Sequence, residues 1–289
     1  MNSKESRKSH FPFFIGMPAV IWQVLFFYIP LVLILFSSVI KTNEFGSFET
    51  LSFYKIKLFL QPTYIKVIGA SLLLALSNAV ICFLIAYPFA YFLAFRCEKY
   101  KNLLLFFLVV PFWTNFLLHV YAWFFVLERE GLINNLLSQL SILSNPHSYL
   151  NSLFSIMIMM VYYYLPFMVL PIYSSLEKFD FRLVEASVDL GATWVQTFKQ
   201  ILLPLSIRGI RSGFFLVFIP SFGEFAIPEL MGGDKWMFVG NVISIYILGE
   251  QTGAFGAAFT VVSVIGLILS CFLLYFIINF LLKPRSTYE

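Results

Sequence analysis

Charge is scarce in this chain of 289 residues: 12% are Asp, Glu, Lys or Arg, while 60% are hydrophobic. Soluble domains carry about 25% charged residues, and a water-soluble fold of this length cannot bury so much apolar surface. Cysteine is nearly missing too. Cys82, Cys97 and Cys271 are an odd, scattered set without metal-ligand spacing, which excludes a disulfide framework. His10, His119 and His147 are just as dispersed and offer no metal cluster. No Gly-Lys dipeptide occurs, so the G-x-x-x-x-G-K-[ST] phosphate loop is absent and the chain is not expected to hydrolyse ATP by that route. No nucleophile elbow or paired-carboxylate pattern is present, so no catalytic residue, bound cofactor or metal is expected, and the chain is not read as an enzyme. Low-complexity tracts and repeats of about 20–50 residues are missing, which argues against solenoids and propellers. The 36 Phe, 15 Tyr and 5 Trp exclude disorder. What is abundant is long apolar runs, and they make this an integral membrane protein.

A membrane span needs about 20 mostly apolar residues. Six runs qualify: 13–39, 67–95, 103–127, 153–175, 213–228 and 255–282. They are continuous and rich in Leu, Ile and Phe, without the alternating ten-residue segments of a β-barrel, so six helices are expected. The fifth is the least regular, being interrupted by Pro220, Gly223, Glu224 and Pro228. The first follows Lys4, Arg7 and Lys8, as a signal peptide would, but its apolar run far exceeds the roughly 7–15 residues of a cleavable segment, and it reads as a retained span. Six spans put both termini on one side. With that side cytoplasmic, inside segments carry 13 Lys/Arg and outside segments 6, as the positive-inside rule requires, although Lys41, Lys55, Lys57 and Lys66 in the outer loop 40–66 blur it.

About 35 residues, 176–211, separate the fourth and fifth spans on the cytoplasmic side, too many for a simple turn. Asp180 is suited to cap a short helix that Gly191 ends in a left-handed conformation. Gly191 would also permit a close backbone approach. Thr193 with Gln196 fits a capping box opening a second short helix, which Pro204 is expected to limit. The result is two short helices at a glycine hinge, a shaped knob able to transmit rigid-body motion.

The spacing Glu185-Ala186-Ser187, Gly191, Ile201, Leu203-Pro204 resembles the EAA signature of ABC-importer permeases, with Ser187 where the family usually has Ala. Longer pieces resemble the permeases of spermidine/putrescine importers, of the PotB and PotH type: Tyr87–Ala94, Val110–Asn115, Leu165–Glu177 and Gly223–Gly233. The resemblance implies an all-α, six-helix type I ABC-importer permease (MetI-like) fold. It implies one transmembrane domain over 1–289 with a cytoplasmic coupling helix that seats in an ATP-binding subunit. The implied partners are a second permease, two ATP-binding subunits that would hold ATP and magnesium, and an extracytoplasmic polyamine-binding protein. The implied location is the bacterial inner membrane, in contact with lipid and not with nucleic acid. An importer of another solute (iron, thiamine, sulfate or an amino acid) and an ion-driven secondary carrier are the alternatives.

A polyamine is a flexible polycation, which carboxylates and aromatic faces attract. Only His119 and Glu224 are ionisable residues well inside the six runs. Counting from Arg211 puts Glu224 roughly 20 Å along its helix, about two-thirds of the way across the membrane. A carboxylate at that depth is costly and marks a path or a partner contact. Pro220 and Gly223 just before it are placed to break the helix and free carbonyl groups. Glu224 is therefore expected to line the translocation path, the alternatives being burial against a partner permease or pairing with His119. Trp113, Tyr162, Tyr163 and His119 are candidates beside it, though His119 is better suited to bonding a neighbouring helix. Tyr121, Trp123 and Tyr164 lie nearby. In the last outer loop, Glu229, Asp234 and Glu250 could steer a cation or dock a binding protein, with Lys235 and Trp236 next to them.

Overall fold

The computed structural model describes residues 13–42, 48–97, 99–140, 148–180, 182–249 and 253–282. His10, His147 and Glu250 lie outside them. Helices dominate the described residues. They are α1 (Gly16–Val39), α2 (Tyr54–Phe59), α3 (Pro62–Phe95), α4 (Lys101–Val109), α5 (Phe116–Leu127) and α6 (Leu132–Gln139). After them come α7 (Leu153–Glu177), α8 (Arg182–Asp189), α9 (Trp194–Gly223), α10 (Val239–Leu248) and α11 (Gly253–Leu282). Strands β1 (Ile40–Thr42) and β2 (Phe48–Leu51) form an antiparallel pair with Ile40 opposite Leu51. Among the described residues, five helices are long and apolar enough to cross a bilayer, and a sixth is present if one bent pair counts as a single span.

Two compact units are distinguished. The first contains residues up to Gln61 and Ile245–Val262. Here α1 exposes Trp22, Phe26 and Leu33, which suits a helix solvated by hydrocarbon. Lys55 donates to the Ile40 carbonyl at 2.7 Å and lies 5.5 Å from the Phe255 ring centre. Phe59, fully buried, packs against Tyr246 and Phe259.

The second unit, Pro62–Ser244 with the chain from Ser263, is built on α3, α7 and α9. The buried stripe of α3 is mostly small: Ser71, Ala75, Ala79, Cys82, Ala86 and Ala90. Small residues let helices approach closely in a membrane, where packing and hydrogen bonds replace the hydrophobic drive. From α7, Ile156, Met160, Tyr164, Met168 and Ile172 recur every fourth position and are all buried. Gly209 and Gly213 of α9 form the tightest seam: a Cβ on Gly209 would sit 2.4 Å from the Pro171 carbonyl oxygen, and one on Gly213 3.0 Å from that of Met168. Two polar locks join α9 to α3 instead. Asn78 donates to Ser221 at 2.8 Å, and the Tyr87 hydroxyl meets that of Ser206 at 3.1 Å.

Two of the expected runs differ from the helices that form. The run 103–127 is not one straight helix, because Lys101–Trp113 and Phe116–Gln139 are bent by 100° at their break. Pro111 lies in a tight 3-10 turn, Val110–Trp113, and Asn115 caps a fresh helix by accepting from the Leu117 N–H at 2.8 Å. The fifth run neither starts at 213 nor ends at 228: α9 begins at Trp194 and stops at Gly223. Pro204 does not limit it. A π-turn, Phe198–Leu202, precedes the proline, and the Leu203 N–H reaches back to the Phe198 carbonyl. The wider turn accommodates a residue that has no N–H of its own to contribute.

Candidate functional site

The loop between α7 and α9 folds as a knob. Asp180 Oδ1 accepts from the Arg182 N–H at 3.0 Å and so starts α8. The helix ends in a complete Schellman arrangement: the Ala192 N–H bonds to the Ser187 carbonyl at 3.0 Å and the Gly191 N–H to that of Val188 at 2.9 Å. Gly191 has φ +82°, the left-handed conformation expected of it. The expectation that it also allows a close backbone approach is not met within this chain, because an added Cβ would find nothing within 4 Å. The box between Thr193 and Gln196 closes from both sides, at 2.8 Å and 3.4 Å. One bond ties the two helices together. Ser187, buried, donates to the Val184 carbonyl at 2.7 Å and therefore accepts from the buried Thr197 hydroxyl at 2.9 Å.

Of the residues singled out in this loop, Glu185, Ala186 and Gly191 are exposed, Ser187 is the buried lock, and Ile201, Leu203 and Pro204 are half-buried along α9 at its π-turn. Leu183, Val188, Leu190, Trp194 and Val195 are also exposed, Leu190 to 89%. They leave an apolar surface on an otherwise polar loop. At the same end of the unit, Lys101 pairs with Glu177 at 2.9 Å, and Glu177 accepts from Tyr173 at 2.6 Å.

The second site lies at the break after α9. Glu224 has extended backbone, with ψ 128°. Its Oε1 accepts from the N–H groups of Ala226 at 3.1 Å and Ile227 at 3.3 Å, and Oε2 accepts from the Tyr164 hydroxyl at 2.7 Å. Tyr164 stands near the middle of the 25-residue α7, about 20 Å from its Glu177 end. Glu224 therefore sits against the middle of α7, about 20 Å from its Glu177 end, the same distance as counted from Arg211 but nearer the centre of the helix than two-thirds. The helix is broken as expected, but the carbonyls are closed off. Those of Gly223 and Glu224 face Gly240, where a Cβ would sit 2.6 and 2.8 Å away, and that of Phe225 accepts from Asn241 at 3.3 Å and from the Glu229 N–H at 2.9 Å. One turn before the break, Ser221 receives the bond from Asn78, whose Oδ1 in turn accepts from Cys82 at 3.6 Å.

His119 does not pair with Glu224. Its Nε2 lies 2.9 Å from the Pro111 carbonyl and bonds Thr114 Oγ1, while Nδ1 meets the Tyr162 hydroxyl at 2.8 Å. Since a carbonyl only accepts, Nε2 carries the proton and Tyr162 donates to Nδ1. His119 thus pins the bend between α4 and α5 to the neighbouring helix, the role preferred for it from the sequence. Tyr162 joins His119 and Trp123, Tyr163 packs between Phe112 and Phe116, and Trp113 is exposed beside Phe106. Three consecutive tyrosines on a helix point about 100° apart, and the one that reaches Glu224 is Tyr164, which was not among the expected path residues. Asn78 and Ser221 were missed as well. Inside uniformly apolar runs no polarity contrast marks the facing side, although a lone Asn in α3 is itself a signal.

Beyond the break, Met231 is held by two bonds to its carbonyl, from the Asn151 N–H at 2.9 Å and from Ser155 Oγ at 2.8 Å. Gly233, at φ +61°, turns the chain beside the Asn151 side chain. Glu229 is exposed yet engaged, accepting from Asn241 at 2.7 Å, whereas Asp234 and Lys235 project from a 3-10 turn. Trp236 beside them is half-buried.

Residues 86–287 match the family described as binding-protein-dependent transport system inner membrane component. The spermidine/putrescine transport system permease protein PotB of Salmonella typhimurium strain LT2 is 41% identical over 252 residues, 86% of this chain and 88% of that one. Its counterpart in Escherichia coli strain K12 is 40% identical, covering 86% and 91%. A chain from the crystal structure of a bacterial ABC transporter involved in the import of the acidic polysaccharide alginate has a TM-score of 0.69 over 95% of both chains, at 17% identity, which is a likeness of fold. A profile covering most of the chain and relatives of this similarity lead to one conclusion: the chain belongs to the binding-protein-dependent transport system inner membrane components.

Proposed function

We propose that this chain is a permease subunit of an ATP-driven importer of polyamines, spermidine or putrescine. The observation that carries the substrate class is Glu224, a carboxylate at mid-span beside a broken helix, with Tyr164 bonded to it. A lone anionic group at this depth is expensive unless it serves a cationic cargo or a partner, and the PotB relatives transport spermidine and putrescine by name. The chain's knob supports coupling in trans. Its exposed apolar residues around Glu185 and Gly191 would seat in an ATP-binding subunit on the cytoplasmic side. A second permease would complete the path, two ATP-binding subunits would hold ATP and magnesium, and Asp234 and Lys235 would meet the loaded binding protein outside. Both termini are then cytoplasmic, and 1–289 acts as one permease domain in the inner membrane.

Closure of the nucleotide-bound subunits would pull on α8 and, through the Ser187–Thr197 bond, on α9. A rigid helix carries that displacement to its far end, which is the break at Glu224. The test is reconstitution of the permease pair with its ATP-binding subunits and binding protein in liposomes, followed by uptake of labelled spermidine. Uptake that requires ATP and the binding protein, with sulfate excluded, is the expected result. Spermidine uptake no greater than in liposomes lacking this chain would refute the proposal.

A further inference from the structure

The Glu224 carboxylate is divided between two duties. Through Oε1 it satisfies the N–H groups of Ala226 and Ile227, which would otherwise be left unpaired at mid-membrane depth. Through Oε2 it accepts from Tyr164. A carboxylate oxygen offers about two lone-pair positions, so Oε2 retains one for a further donor, and Glu224 remains partly accessible. Tyr164 is 5% exposed, with the Tyr163 ring edge-on at 5.5 Å and the Phe167 ring tilted at 6.3 Å, so its hydroxyl is a fixed point.

Resting on the transport reading above, we propose that Glu224 holds the broken helix with Oε1 and receives one ammonium group of the cargo on Oε2, and that Tyr164 is the positioning residue that keeps the two oxygens to these separate duties. The last torsion of a glutamate is broad and nearly two-fold. Without the phenol the carboxylate plane turns within that broad well, and an arriving ammonium competes with the N–H groups of the restarting turn. With the phenol, the cation adds to a carboxylate already aimed at it, and the fold around the break stays intact. The site is therefore built for a single ammonium donor on this chain, presented to an oxygen that a hydroxyl already orients.

Three variants in the full reconstituted complex separate the duties: Tyr164→Phe, Glu224→Gln and Glu224→Ala. Labelled spermidine is the probe, and hydrogen exchange of the peptide covering residues 226–232 reports the cap. Glutamine keeps an acceptor oxygen and loses the charge, so exchange stays at the wild-type rate while uptake at low spermidine falls about tenfold or more. Alanine loses both, and exchange rises too. Tyr164→Phe removes one charge-assisted hydrogen bond, so KM for spermidine rises about tenfold, with the loss falling on KM rather than on the maximum rate. An unchanged KM in Tyr164→Phe, or an exchange rise in Glu224→Gln as large as in Glu224→Ala, overturns the proposal. Should the wild-type complex take up no spermidine, the transport reading fails by itself and the exchange arm decides the division of oxygens. Exchange raised by Ala and not by Gln upholds that division, and exchange unmoved by Ala refutes it.

Discussion

Replacing Gly191 tests the knob by conformation rather than by size. The residue sits at φ +82° with open space where a Cβ would go, so a substitution clashes with nothing and meets only the cost of the left-handed backbone. For Ala that cost is about 1–2 kcal/mol, or roughly a five- to thirtyfold loss in the population holding the Schellman turn. Val, branched at Cβ, is costlier there. Asn tolerates the conformation and should recover most of the loss despite its larger side chain. The assay is the affinity of the purified ATP-binding subunit for the permease in nanodiscs, with uptake per ATP hydrolysed measured in parallel. The expected order is Gly, Asn, Ala, Val, and membrane insertion should be the same for all four. An order that follows side-chain volume instead, with Asn weaker than Ala, would refute the reasoning. So would four equal affinities.

The Ser187–Thr197 bond should behave as one unit: Ser187→Ala and Thr197→Val each cost about 1 kcal/mol, and a double-mutant cycle on thermal stability should return a coupling of similar size. Strict additivity would dissolve the lock. Gly209→Ala should lower stability by about 1–3 kcal/mol, because its Cβ would press on the Pro171 carbonyl, whereas Gly223→Ala, with nothing within 4 Å, should change the melting temperature far less; equal shifts would contradict the seam. Ser221→Ala removes the partner of the buried Asn78, and a loss of about 0.6–2 kcal/mol in detergent unfolding is expected. A stability equal to wild type would mean that Asn78 finds another acceptor.

The spans were legible because hydropathy integrates over twenty residues, and the knob because its punctuation is local: Asp180, Gly191, Thr193 and Gln196 each act within a few positions. The bend at Asn115 was equally local. Pro111, Thr114 and Asn115 announce it, but in a run otherwise composed of Leu, Phe and Val the average conceals a single cap. Pro204 misled in the opposite sense, since a proline's power to end a helix depends on whether the preceding turn can widen, and no residue type declares that in advance. Glu224 was conspicuous as a charge in apolar sequence, yet its partner was not. Whether Tyr162, Tyr163 or Tyr164 faces it depends on the rotational setting of α7, which is decided by contact with α9 through Gly209 and Gly213.

The widened turn at Phe198–Leu202 also acts as a clutch plate between what lies on either side of it. One residue more than an α-turn requires is stored there, and each residue of an α-helix advances the azimuth by about 100°. Excising a single position from this stretch would restore regular winding with Thr197 still in phase, whereas excising one from the regular helix above it would swing Thr197, with everything bolted to it, nearly a third of the way around the axis. Torque delivered from below would then arrive pointing the wrong way, although every contact above the excision survived.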